Sequence, residues 1–131
     1  MKSEELLYAS THEWVHIVEK DNEKFATIGI SAFAIEALTD LVFIQLPEVG
    51  QVVSTGSSLG EIESVKAVSD IYSPVDGEIV EINSPLANSL ETFSEDPYGE
   101  GWIARIRITD QAGVAQLMDY EAYQKQCAEE G

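Results

Sequence analysis

The chain has 131 residues, 44% of them hydrophobic and 24% charged, a composition that predicts one globular domain with a single core. Its formal net charge of -17 would be repelled by nucleic acid and by anionic membranes, so neither is expected as a partner. The same charge favours solubility and partners that carry basic clefts. The single cysteine, Cys127, excludes a disulfide within these residues and fits a reducing compartment.

The first residues show no targeting signal. Residues 1–7 are acidic, and they lack both the apolar segment of a signal peptide and the arginine-rich character of an organelle transit peptide. No run approaches the ~18 apolar residues that a membrane helix needs. The sequence therefore predicts a cytoplasmic location.

Alternating hydrophobicity predicts a mainly β chain after a polar lead-in over 1–10. Strands over 13–18 and 25–30 flank a polar turn and should form a hairpin. Ser31 is a suitable cap for a short helix over 32–38. The remaining predicted strands are 41–46, 51–53, 59–63, 68–73, 78–82 and 102–108.

The second half of the chain contains a long predicted loop and two predicted terminal helices. Pro and Gly residues punctuate the loop over 83–101. Asp110 and Asp119 are suitable caps for helices over 111–118 and 120–128. Cys127 is expected to pack on the apolar face of the second helix, and no Cys/His pattern supports a catalytic thiol.

The segment His12-Glu13-Trp14-Val15-His16 matches the H-E-x-x-H pattern of zinc proteases. That chemistry needs a helix, in which residues i and i+4 lie about 6 Å apart on one face. On the predicted strand the two histidines lie roughly 13 Å apart at about 3.3 Å per residue, too far for one metal ion. Since these are also the only histidines, no metal site is expected.

Lys66 stands out by its charge. Between Phe25 and Ala104 the chain has thirteen acidic residues, and Lys66 is the only basic one. The predicted strands 59–63 and 68–73 place it at the tip of a hairpin, extended into water. A lone exposed lysine is either an accident of composition or a point of covalent modification, in which the amine is used and its charge discarded.

Several short motifs occur in a fixed order along the chain. They are His12-Glu13-Trp14-Val15, Thr27-Ile28-Gly29-Ile30, Leu46-Pro47-Glu48-Val49-Gly50, Glu63-Ser64-Val65-Lys66-Ala67, Ser69-Asp70, Ser73-Pro74-Val75-Asp76-Gly77-Glu78 and Gly101-Trp102. In order and spacing, from about Tyr8 to Cys127, they resemble the glycine cleavage system H proteins. The segment around Lys66 resembles the lipoylation segment of that family.

The resemblance implies a lipoyl/biotinyl-type barrel-sandwich hybrid, mainly β, with a short internal helix and C-terminal helices. It implies one lipoyl-carrier domain over 1–131, with a core over about 8–108 and terminal helices over about 110–128. A similarity between residues 50–53 and residues 77–80 hints at the weak two-fold repeat of such domains.

The residues beside Lys66 favour lipoate over biotin as the attached group. Biotin carriers resemble one another in having methionine on each side of the modified lysine, whereas here the neighbours are Val65 and Ala67. The resemblance implies that a lipoate ligase or lipoyl transferase reads Glu63 and the shape of the hairpin. A biotin carrier remains the alternative from another class.

The resemblance also implies a function without catalysis by this chain. The family carries an aminomethyl intermediate on lipoyl-lysine between glycine decarboxylase, aminomethyltransferase and dihydrolipoamide dehydrogenase. By motif position, Glu13, Asp70 and Thr11 match family residues that lie near the lipoyl group when it rests against the domain. Carboxylates at that place would stabilise a cationic aminomethyl group. The alternative to this role is that Glu13 is a solvated strand residue and Asp70 an acidic residue of a hairpin turn.

The sequence departs from the family pattern after Ser31. Where the family has histidine or tyrosine followed by Ala-Gln, this chain has Phe33-Ala34-Ile35, and where the family has Leu-Gly and an acid, it has Leu38-Thr39-Asp40. The departures at Phe33, Ile35 and Thr39 are expected to leave lipoylation intact and to affect the docking of partner enzymes over the short helix. An H-like carrier for lipoate relay, or for another lipoamide-dependent system, is therefore the alternative function.

Overall fold

The computed structural model describes residues 2–130, and across them nine strands form two antiparallel sheets. The six-stranded sheet has the order β1-β2-β3-β9-β8-β5, and the three-stranded sheet has the order β4-β6-β7. The strands are β1 (Leu7–Tyr8), β2 (Glu13–Lys20), β3 (Glu23–Ile30), β4 (Leu41–Gln45), β5 (Val52–Val53), β6 (Ser58–Ser64), β7 (Val68–Tyr72), β8 (Asp76–Ile82) and β9 (Ala104–Asp110). The predicted mainly β class is confirmed.

The hairpin of β2 and β3 forms where the sequence predicts it. The two-residue turn at Asp21 and Asn22 has φ values of 54° and 65°, which Asp and Asn tolerate better than most residues. Residues 50–53 and 77–80, the proposed repeat, lie side by side, because Val52 pairs with Glu78 and Val53 pairs with Gly77.

Three α-helices occur within residues 2–130: α1 (Ala32–Leu38), α2 (Thr92–Glu95) and α3 (Tyr120–Glu130). Ser31 caps α1 as predicted, since its Oγ accepts a hydrogen bond from the Ala34 N–H at 3.3 Å. Residues 83–101, predicted as a loop, contain α2 and a 3-10 helix over Ser84–Asn88.

The predicted helix over 111–118 is wrong. Only a 3-10 turn forms there, over Val114–Gln116. The chain then extends, because Met118 and Tyr8 exchange two backbone hydrogen bonds of 2.8 Å and so join the C-terminal segment to β1. The second predicted helix is confirmed as α3, in which the Asp119 carboxylate accepts a hydrogen bond from the Ala122 N–H.

The core lies between the two sheets. Inward-facing residues of both sheets meet there, and among them Ile28, Ile62, Ile79 and Ile106 are 0–1% exposed. A second cluster seats α3 against the N-terminal segment, and it consists of Leu6, Tyr8, Trp14, Tyr123 and Cys127. Cys127 is buried there, on the inner face of the terminal helix, as predicted. Within residues 2–130 no helix has the length and apolarity to cross a bilayer.

Candidate functional site

Lys66 lies in the three-residue loop that joins β6 to β7. The pairing of Glu63 with Val68 closes the ladder, and the Ser64 N–H donates to the Ala67 carbonyl at 2.8 Å. The lysine side chain is exposed. Among the described residues, no hydrogen bond or ion pair holds its amine.

Ser64 organises this loop, a role that the sequence analysis missed. Its side chain is buried, 4% exposed, and its Oγ accepts hydrogen bonds from the N–H groups of Lys66 and Ala67 at 3.3 and 3.1 Å. From the other side, the Asp40 carbonyl accepts the Val65 N–H at 3.0 Å. Serine hydroxyls often accept hydrogen bonds from backbone N–H groups two or three residues later, so the position of Ser64 two residues before Lys66 is a local sequence signal for this role.

Glu63 lies on the outer face of the three-stranded sheet and is exposed. In register it stands between Phe43 of β4 and Val68 of β7. Its carboxylate therefore faces solvent beside the hairpin tip, three residues before Lys66.

Thr11, Glu13 and Asp70, assigned together only through the resemblance, line one cavity of about 220 Å³. Ser69 lines the same cavity, so the hairpin that carries Lys66 also forms one of its walls. Across from it, α1 contributes Phe33.

Glu13 is the buried carboxyl of this cavity, only 3% exposed. Its carboxylate accepts a hydrogen bond from the Thr11 hydroxyl and another from the Tyr72 N–H at 3.3 Å. Burial raises the pKa of Glu13 to about 7, although these two hydrogen bonds act in the opposite direction. Asp70 is exposed, and its carboxylate accepts hydrogen bonds from Ser58 and Tyr72. Of the predicted residues, Asp70 therefore supplies a solvated carboxyl group and Glu13 a desolvated one.

His12 and Glu130 also line the cavity, and the sequence analysis assigned neither of them. His12 Nε2 lies 3.0 Å from Glu130 Oε1, and His12 Nδ1 lies 2.7 Å from the Tyr123 hydroxyl. Hydrogen bonds from Gln126 and His12 hold the pKa of Glu130 below its usual value. These contacts join residues 118 and 111 positions apart, so no local pattern could have indicated them.

The histidines of the H-E-x-x-H match do not share a helix face. His16 lies in β2 opposite Thr27, whereas His12 precedes the strand and has a φ of 80°. Among residues 2–130 no three potential metal-ligating side chains of the His, Cys, Asp and Glu types cluster together.

The three departures from the family pattern have distinct places. Phe33 stacks on His12 with ring centroids 5.2 Å apart, and Ile35 is buried in the core at 4% exposure. Thr39 ends α1 with a φ of 65° and a ψ of -128°, a conformation that favours glycine. The residue at 39 is therefore strained, whereas those at 33 and 35 pack.

A sandwich of two sheets with an exposed lysine at a hairpin tip is the architecture of a lipoyl-type carrier domain. A crystal structure of a glycine cleavage system H protein from Mycobacterium marinum has this fold, with a TM-score of 0.82 and 38% sequence identity. The match covers 95% of this chain and 98% of that chain.

Sequence comparison agrees with the structural match. The sequence model of the family described as glycine cleavage H-protein matches residues 6–130. The glycine cleavage system H protein of Rhodopirellula baltica is 51% identical over 126 residues, covering 96% of this chain and 95% of the relative. That of Thermotoga maritima is 46% identical over 123 residues, covering 94% and 96%. The chain belongs to the glycine cleavage H-protein family, and its role is that of a lipoyl carrier in glycine cleavage.

Proposed function

We propose that Lys66 is the lipoyl attachment site. The lipoylated chain then carries an aminomethyl intermediate between glycine decarboxylase, aminomethyltransferase and dihydrolipoamide dehydrogenase. The observation that carries the proposal is an exposed amine, without an ion pair among residues 2–130, on a closed turn of a chain that belongs to this family. An acyl group can be joined to such an amine without breaking an existing contact.

The residues around Lys66 fit an attached lipoyl group. When bound, that group supplies a dithiolane, which can take up two electrons and a one-carbon unit. Lys66 contributes the anchoring nitrogen, and Ser64 fixes the backbone on which that nitrogen stands. A tether of this kind keeps its cargo at high effective concentration near each partner, which is the physical work of a carrier. We assign the catalytic steps to the partner enzymes and none of them to this chain.

Glu13, Asp70 and Thr11 are proposed to hold the cationic end of the cargo. An aminomethyl amine is positively charged when protonated, and a carboxylate in a cavity closed on several sides stabilises that charge more strongly than one in water. Thr11 donates its hydroxyl hydrogen to Glu13 and so orients the carboxyl. Holding the cation would also limit its contact with water and slow hydrolysis.

Glu63 is proposed to be read by the enzyme that attaches the lipoyl group, a lipoate ligase or lipoyl transferase. It is exposed on the strand that leads into the tip, three residues before Lys66. An exposed carboxylate at this distance offers a charged contact for a basic side chain of that enzyme. The cytoplasmic location stays a prediction from the sequence.

Intact mass tests the proposal. Protein purified from its native source, or coexpressed with a lipoate ligase, should gain the mass of one amide-linked lipoyl group. Lys66→Arg should abolish the gain completely, because a guanidinium group is not acylated in this reaction. Lys125→Arg is the matched control, since Lys125 is exposed on α3, and it should be modified like the parent. A lipoyl group found on Lys66→Arg, or a biotin adduct on the parent, would refute the assignment.

A second candidate function rests on the residues at 33, 35 and 39. Phe33 places an aromatic ring in the cavity wall where the family has a polar ring, and this change favours altered docking over α1. The alternative is an H-like carrier for lipoate relay or for another lipoamide-dependent system. Reconstitution with the other glycine cleavage enzymes separates the two functions, because lipoylated protein that supports no glycine-dependent turnover would be H-like only.

A further inference from the structure

Four large apolar side chains are exposed around Lys66. Val42 and Phe43 of β4 are 49% and 55% exposed, Val65 in the loop is 66% exposed, and Val68 at the start of β7 is 59% exposed. We call these four residues the tip patch. Scattered exposed valines need no explanation, but these four side chains, one of them a phenylalanine, all belong to the loop that carries Lys66 or to β4 and β7, the strands on either side of β6.

The strand register places part of this patch in one row. Phe43, Glu63 and Val68 are partners across the three adjacent strands β4, β6 and β7. Adjacent strands lie about 4.8 Å apart, so their side chains are in reach of one another on the outer face of the sheet. The row therefore consists of a carboxylate with an apolar side chain on each side, and Lys66 follows Glu63 by three residues.

The neighbouring outward row is polar. Gln45, Glu61 and Asp70 are partners two residues further from the tip. The apolar surface is thus confined to the end of the sheet that carries Lys66, and acidic residues border it. A complementary partner presents apolar side chains to Phe43 and Val68, a basic side chain to Glu63 between them, and further basic side chains at the edge that meets Glu61 and Asp70.

We propose that the tip patch is the docking surface of the enzyme that attaches the lipoyl group to Lys66. The proposal rests on Lys66 being the attachment site. In the attachment reaction, lipoate is first activated by ATP as a mixed anhydride between its carboxylate and a phosphate group. The lysine nitrogen forms an amide bond with the carbonyl carbon, the bond from that carbon to the phosphate oxygen breaks, and the phosphate leaves as a nucleoside monophosphate. The two protons that the ammonium loses pass to solvent or to a base of the enzyme.

The distance of the reacting atoms from the protein surface distinguishes the attaching enzyme from the partners that act after attachment. The reacting nitrogen stands roughly 6 Å from the Lys66 Cα, at about 1.5 Å per bond with staggered geometry, so the attaching enzyme must cover the surrounding sheet. After attachment, the reacting sulfurs lie beyond a further acyl chain. Enzymes that act on those sulfurs can keep their surfaces away from the tip, so they depend less on the patch.

Two identical substitutions test the proposal. Val68→Thr changes the patch, and Val52→Thr makes the same change on β5 in the other sheet, where Val52 is 79% exposed. Phe43→Thr removes the aromatic member of the row. The rate of modification is followed by intact mass, with purified lipoate ligase, lipoate and ATP. We expect kcat/KM for modification to fall about tenfold in Phe43→Thr and a few-fold in Val68→Thr, and to stay at the parent value in Val52→Thr.

Two further readouts make the outcome decisive. Exposed substitutions of this kind leave unfolding stability within about 0.5 kcal/mol, which a melting curve checks. Each variant, lipoylated to completion with excess ligase, should then be reduced by dihydrolipoamide dehydrogenase at close to the parent rate. Modification of Phe43→Thr and Val68→Thr at the parent rate would overturn the docking surface while Lys66 remained the attachment site. Equal losses in both reactions would overturn its assignment to the attaching enzyme, and an unmodified parent would refute the attachment site itself.

Discussion

The hairpin tip and the neighbouring cavity treat their ionisable groups in opposite ways. At the tip, the backbone N–H groups of Val65, Lys66 and Ala67 are all hydrogen-bonded, while the Lys66 amine is exposed to solvent. In the cavity, the Glu13 carboxyl is 3% exposed and takes hydrogen bonds from Thr11 and Tyr72. The same β7 strand contributes to both regions, since it begins just after the tip and ends at Tyr72.

Under the proposed function, this difference separates the attachment of the lipoyl group at the tip from the storage of its cargo in the cavity. The exposed Lys66 amine is open to another protein, and the enzyme that modifies it supplies the activated acyl group. A carboxyl removed from water has altered chemistry, because burial disfavours its charged form until a cation enters. We infer that the Lys66 amine is exposed because another protein must modify it, and that the Glu13 carboxyl is buried because this chain itself must hold the cargo there.

Removing the Glu13 charge tests this contrast most strongly. The pKa of Glu13 rises from 4.5 to about 7 on folding, so between these values the folded state binds more protons than the unfolded state. Glu13 therefore contributes a fall in the free energy of unfolding as pH rises through this window, of roughly 3 kcal/mol at about 1.4 kcal/mol per pKa unit. Glu13→Gln should abolish that fall, and so be more stable than the parent at pH 8.5 by up to roughly this amount. Urea unfolding across the window measures it.

Glu63→Gln is the matched control for that prediction. It makes the same chemical change on an exposed carboxylate, so the difference in unfolding free energy from the parent should stay nearly constant with pH. If Glu13→Gln followed the pH dependence of the parent, the Glu13 carboxyl would titrate as it does in water, and the contrast between tip and cavity would fail.

Ser64→Ala tests how firmly the tip is held. The substitution removes the acceptor of the Lys66 and Ala67 N–H groups. We expect a loss of about 2 kcal/mol in unfolding free energy, because a buried hydroxyl with several hydrogen bonds is deleted. Hydrogen exchange at both amides should accelerate.

Ser69→Ala is the comparison for Ser64→Ala, since Ser69 is exposed on β7 and no side-chain hydrogen bond holds it among residues 2–130. It should cost less than about 0.5 kcal/mol. Equal effects of the two alanines would mean that the Ser64 hydroxyl does not organise the loop.

Local chemistry explains what the sequence predicted correctly. The cap at Ser31, the turn at Asp21 and Asn22, and the hairpin around Lys66 depend on residues within a few positions of one another. The helix over 111–118 failed because a distant partner decided the outcome. Met118 pairs with Tyr8, and this pairing holds the segment extended.

The cavity could not be derived from residue patterns. Glu13 alternates like any strand residue, and one of the groups that donate hydrogen bonds to its buried carboxylate is the N–H of Tyr72, 59 positions away in the other sheet. The family resemblance supplied Thr11, Glu13 and Asp70 but not His12 or Glu130, whose contact joins the two ends of the chain. Residues 1–10 were also predicted as a polar lead-in, which missed the burial of Leu6 and Tyr8. These two side chains are buried in a cluster with Tyr123 and Cys127 of α3.

Thr39→Gly tests whether the positive φ of Thr39, next to the tip, strains the backbone. We expect it to change the unfolding free energy least of the test substitutions, their controls aside. Thr39 and His12 both have positive φ values, 65° beside the tip and 80° beside the cavity. His12 is held by Tyr123 and Glu130, whereas the Thr39 hydroxyl donates to the adjacent Leu38 carbonyl and makes no other hydrogen bond within residues 2–130. Thr39→Gly should therefore raise the unfolding free energy by about 1 kcal/mol, because relief of a strained φ exceeds the entropy cost of glycine. Thr39→Ala keeps the Cβ and should gain little, while His12→Gly should destabilise through its lost contacts. Equal unfolding free energies for Thr39→Gly and Thr39→Ala, measured in urea, would show that the turn at Thr39 is not strained.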